Sequence, residues 1–104
     1  MLIKSKKDLE KLWEIVAPSV KLPNSVKLTD IEYSIGWNRT TYISLELNEK
    51  LVFFIFDTDG PYIQVFSHEQ IDIEAAKVAI VVKNLFTSLV YSKQHKQAKV
   101  SKSD

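Results

Sequence analysis

Cysteine is absent from the 104 residues, which excludes disulfides, thiol catalysis and thiolate metal sites. Glycine occurs only at Gly36 and Gly60. That is too little for a phosphate-cradling loop, and no Gly-x-Ser-x-Gly turn presents a nucleophilic serine. Arginine occurs once, at Arg39. Bidentate recognition of phosphate or guanine is mostly arginine work, so this scarcity weighs against base-specific reading. No uncharged apolar run reaches the ~18 residues that a membrane-spanning helix needs, so no membrane association is expected. The first residues hold no apolar segment of signal-peptide length, and a cytoplasmic location is expected on that ground. Asn38-Arg39-Thr40 has the form of a glycosylation sequon and reads as a turn.

What remains is enough for one domain with a core of its own. Charge is unevenly spread. Residues 1–92 hold ten basic and twelve acidic side chains, whereas residues 93–104 hold Lys93, Lys96, Lys99 and Lys102 against Asp104. That last segment has no apolar period. The expectation is a single domain over 1–92 followed by a flexible basic tail over 93–104.

The organising stretch runs from Ile71 to Tyr91. On a helix, Ile71, Ala75, Val78, Ala79, Val82, Leu85, Phe86 and Leu89 form one broad apolar face. Its back is not cleanly polar. Ile73, Ile80 and Thr87 recur there every seven residues, with Ala76 and Tyr91 beside them. Scattered exposed apolar residues are ordinary on proteins; the sharper reading is a second contact, with the same helix of another copy.

A shorter amphipathic helix is expected over 5–17, with Leu9, Leu12, Trp13 and Val16 on one face. Ser5 and Asp8 have capping-box spacing, and Pro18 ends the helix. From Val26 to Ser67 the period changes to two. Ile31, Tyr33, Ile35 and Trp37 share one parity while Val26 and Leu28 hold the other, which implies a bulge near Thr29-Asp30. Thr41, Ile43, Leu45 and Leu47 define a half-buried strand. Asn48-Glu49-Lys50 turns the chain, and Leu51–Phe56 is apolar on both faces. Asp59-Gly60 is a hairpin signal before a fourth strand, Tyr62–Phe66. Ser67 with Gln70 fits a second capping box opening the long helix. The fold class is therefore α+β: a four-stranded antiparallel meander with an N-terminal and a long C-terminal helix on one face, in the order α-β-β-β-β-α.

Three constellations carry the functional expectations. Asp57 and Asp59, followed by His68 and Glu69, are weak candidates for a cation site, since turn and helix-start chemistry explain the same residues. No cofactor is expected. Tyr42, Tyr62, Gln64 and Phe66 fall on the sheet face that the helices leave open. Aromatics there can anchor a protein partner, stack single-stranded bases, or pair across strands for stability alone. Lys27, Arg39, Lys50 and the tail lysines favour nucleic acid, and Glu32, Glu46 and Glu49 oppose it. A four-strand meander followed by a long dimerising helix resembles the single-strand-binding folds of the Pur-alpha type. The resemblance lies in element order, carries no residue motif, and implies binding by the sheet. The leading expectation is a non-catalytic interaction module whose partner is a second copy, as a homodimer, or another protein. Single-stranded DNA or RNA binding by the sheet face and basic tail is the alternative. A small metal-dependent enzyme comes third.

Overall fold

A computed structural model describes residues 1–36, 40–56 and 63–103, with residues 92–103 described by their backbone. Helix α1 spans Lys6–Val16 and a short 3-10 turn follows over Ala17–Ser19. Four strands come next, β1 Leu28–Ile35, β2 Thr41–Leu47, β3 Lys50–Phe56 and β4 Ile63–Phe66, and then helix α2, Ile73–Ser103. The strands form one antiparallel sheet in the order β1-β2-β3-β4. This is the expected α+β meander. Asp59 and Gly60, on which the last hairpin was read, lie outside the described residues, as do Trp37 and Arg39.

Helix α1 forms where its capping chemistry places it. Ser5 Oγ accepts from the Asp8 N–H, and the Asp8 carboxylate accepts from the Ser5 and Lys4 N–H groups at 3.0 and 2.7 Å. The reciprocal arrangement satisfies donors that a helix start otherwise leaves bare. Leu9, Leu12, Trp13 and Val16 are the buried face.

The start of α2 differs from the expectation. Ser67 Oγ donates to Glu69 O, and no helix follows there. Asp72 caps instead: its carboxylate accepts from the Ala75 N–H at 3.3 Å, and its carbonyl from the Ala76 N–H at 2.9 Å. The pattern Ser67-x-x-Gln70 suits a helix start, but Asp72 lies directly before Ile73, the first residue of the helix, where its carboxylate reaches the Ala75 N–H, and the anionic cap also meets the helix dipole favourably. The other end differs too. Residues 93–103 were expected without regular structure, and the backbone remains helical through Ser103. Alanine, glutamine and lysine are good helix formers, so a helix already nucleated by packing can propagate through them. The 31 residues of α2 make a rod of about 46 Å.

Both helices lie on one sheet face, α1 against β1 and α2 against β4. Between them sits the core. Ile43, Leu45 and Leu47 of β2, Val52, Phe54 and Phe56 of β3 and Ile63 of β4 meet Leu9, Leu12, Trp13 and Val16 of α1 and Ala75, Val78, Ala79, Val82 and Phe86 of α2. Phe86, on α2, joins α1 and β3 in this contact. Its ring lies 6.2 Å from that of Trp13 and 5.5 Å from those of Phe54 and Phe56. The 3.6-residue apolar face read from Ile71 to Leu89 is the face that packs.

The expected bulge in β1 is present as a register shift between Leu28 and Asp30. At the β2–β3 hairpin, Leu47 pairs with Lys50, so the loop is two residues long. Asn48 and Glu49 take φ of 50° and 68°, both in the left-handed region. A two-residue loop needs that backbone to match the twist of the strands.

Candidate interaction surface

Strand pairing assigns each paired strand residue to a face. Asp30, Glu46 and Leu51 form one row of the face turned away from the helices. Glu32, Ser44, Phe53 and Phe66 form the next, and Ser34, Tyr42, Ile55 and Gln64 the third. This placement agrees with the open-face parity expected for Tyr42, Gln64 and Phe66; Tyr62 lies outside the described residues.

The centre of that face is a ring cluster. Phe53 contacts Tyr42 edge-on at 5.5 Å and Phe66 with tilted rings at 6.4 Å. His68, just past the end of β4, sets its imidazole edge-on to Phe66 at 4.8 Å and to Phe53 at 5.8 Å. Edge-to-face geometry is what the ring quadrupoles favour. Phe66 keeps 47 % of its surface exposed, and Leu51 beside the cluster is exposed too. Ser44, the small residue in its row, is buried between Glu32 and Phe53. Phe53 and His68 are the members that sequence reasoning did not assign to this surface, and Phe53 is the central one. Leu51–Phe56 is apolar at every position, so periodicity could not say which parity faced out. The signal was pairing with Ser44, visible only once register is known.

At its described strand positions, charge on this face has one sign. Asp30, Glu32 and Glu46 stand along β1 and β2, and none of the described strand positions on the face carries lysine or arginine. Lys50 belongs to the other parity, and its ammonium donates to Gln70 O at 2.7 Å. Lys27 precedes β1, and its backbone N–H donates to Asn48 Oδ1 at 2.9 Å.

The back of α2 is a second unusual surface. Ile73 is 72 % exposed and Ile80 57 %. Ala76 and Thr87 are half-buried, and Thr87 Oγ1 donates to the Lys83 carbonyl at 2.8 Å. Tyr91 differs from the other four. It packs against the core although it falls on the back by angle. The side chains of Lys93, Lys96, Lys99 and Lys102 lie outside the described residues.

Of the candidate cation ligands, Asp57 and Asp59 lie outside the described residues. His68 belongs to the ring cluster, and Glu69 is exposed. No group of three or more histidine, aspartate or glutamate side chains among the described residues is placed to hold a metal ion. No helix among them is long and apolar enough to cross a membrane.

One polar node lies at the end of the sheet nearest the α2 cap. Asn48 Nδ2 donates to Ser25 O at 3.0 Å and to Asp72 Oδ1 at 3.2 Å. Its Oδ1 accepts from the Lys27 N–H, and its own N–H donates to Lys27 O at 2.9 Å. The side-chain amide of Asn48, first among several donors, holds the Asp72 carboxyl below its ordinary value. On β1, burial raises the Tyr33 phenol, with the charges of Glu10 and Glu14 adding to it.

The fold and surface define a two-layer α+β domain with an open, acidic and aromatic sheet face. Comparison of the chain with protein-family models, with curated proteins and with solved structures finds no match.

Proposed function

We propose that this chain is a small non-catalytic interaction module that associates with itself. One observation carries the reading. The open sheet face combines a partly exposed ring cluster with three carboxylates and, at its described strand positions, no cation. Exposed aromatics are what a protein interface uses as anchors. Fixed carboxylates beside them repel a phosphate backbone, whose neutralisation by lysine and arginine supplies most nucleic-acid affinity. Exposed Ile73 and Ile80 add a second apolar surface, apart from those three carboxylates.

The test is the mass in solution by light scattering, with and without a single-stranded oligonucleotide at moderate salt. The expected result is a concentration-dependent rise toward twice the chain mass, unchanged by the oligonucleotide. A monomer that gains the mass of bound oligonucleotide would overturn the reading in favour of single-strand binding.

A further inference from the structure

The two edges of the sheet are built differently. β1 is guarded. Its ladder is broken by the register shift at Leu28 and Asp30, two of its side chains are carboxylates, and Asp30 Oδ1 accepts from the Ile31 N–H at 2.9 Å. These are devices by which an edge strand avoids recruiting another. β4 has none of these three, its shortness being the one guard it carries. Its four residues, Ile63, Gln64, Val65 and Phe66, carry no charge and pair with β3 in unbroken register. Among the described residues no strand lies beyond β4, and its backbone makes no bond to a described residue outside the β3 ladder. Val65, on the helix side of the sheet, is 39 % exposed.

The helix above this edge is also bare. α2 packs against β4. Its flank with Ala76, Lys83, Thr87 and Val90 is half-buried, and the Leu89 and Val90 carbonyls accept from the nitrogen of Met1 there. The opposite flank, with Lys77, Val81 and Ser88, is exposed, Val81 to 46 %. The covered flank faces α1 and the N-terminal segment, so Val81 stands on the β4 side.

We infer that β4 is a pairing edge, and that a second copy of this chain adds its own β4 antiparallel to it across a two-fold axis. Two four-stranded sheets then become one of eight strands, with the two α2 helices side by side above the seam. The occupant follows from the contrast between edges. Pairing β4 with the β1 of another copy would be head-to-tail and would propagate without end. The bulge and carboxylates of β1 block it. Pairing like with like closes after two copies, sets four uncharged residues against four, and brings exposed Val65 and Val81 toward their mates. This adds a specific contact, the β4 edge, to the self-association proposed above and rests on that reading.

The test compares the parent with Gln64→Lys/Val65→Lys, which puts charge on both faces of the edge at exposed positions. In light scattering the parent approaches twice the chain mass, whereas the variant stays at the chain mass with unchanged far-UV circular dichroism. Amide exchange in the parent shows residues 63–66 gaining protection as concentration rises. That second readout decides the matter if the variant does not fold. A variant that stays dimeric, with β4 amides indifferent to concentration, would overturn the edge while leaving self-association standing. A parent that is monomeric at every concentration would overturn both.

Discussion

Asn48 does two kinds of work at one position, which makes it the most constrained polar residue described. Its backbone sits in the left-handed region that asparagine tolerates. Its side chain ties the loop at Ser25 and Lys27 to the Asp72 cap of α2. Glu49 beside it has the same backbone demand and no such compensation, because a β-carbon makes that region costly. Glu49→Gly is therefore expected to stabilise the domain by roughly 0.5–1 kcal/mol, the strain relieved less the added freedom of the unfolded glycine. A rise in the denaturant midpoint at unchanged m-value would verify it; a fall would show that the glutamate side chain contributes more than the turn costs. The Asp8 and Asp72 carboxyls are also legible in acid. The Lys4 N–H, first among several causes, lowers Asp8, and the Asn48 amide lowers Asp72, both below the ordinary value near 3.8. Each carboxylate then binds fewer protons folded than unfolded in that region. The stability it contributes is complete above the ordinary value and drains as pH falls through the depressed folded value. Melting temperature followed between roughly pH 2 and 6 should decline at the acid end. Asp72→Asn should flatten part of that decline; an identical acid limb in parent and variant would refute the assignment. The capping box at Ser5 could be read from spacing. The Asn48 node could not, since its partners are 21 to 24 residues away.

At the scale of elements, α2 is where pattern was most informative and where its edges misled. Its packed face was legible because Ala75, Val78, Ala79, Val82 and Phe86 repeat at helical spacing. Its start was not, because two capping motifs lie within six residues and only contact with the sheet end chooses between them. Its far end was not, because a polar run says nothing about whether a helix continues through it. Phe86 is the residue at which α1, β3 and α2 meet. Phe86→Ala is expected to cost about 3–5 kcal/mol, the transfer term plus the cavity left among rings that cannot fully close on it. Ile80→Asp, on the exposed back, should fold with a stability change of only a few tenths of a kcal/mol in the isolated chain. Chemical denaturation of the two variants beside the parent checks both. Comparable losses would mean that the back of α2 is buried within one chain, against the exposure found for Ile73 and Ile80. The meander itself was legible from alternation and turn residues. The direction of the Leu51–Phe56 strand was not, and with it the place of Phe53 at the centre of the ring cluster.

For the molecule as a whole, every strand pairs with its neighbour in sequence, so the sheet can form from local hairpins. The helices break that locality. Trp13 and Phe86 come from opposite ends of the domain and meet over the middle of the sheet. During synthesis the N-terminal helix and all four strands leave the ribosome before Phe86 does. At roughly 5–20 residues per second, about one to a few seconds separate the last strand from the arrival of Phe86. Through that interval the sheet has α1 on part of its apolar face and nothing on the rest, and the open β4 edge is already made. A nascent chain that pauses once Gln70 has left the ribosome thus offers an apolar sheet and an open edge together, the form most prone to pair with another such chain or to need a chaperone's cover.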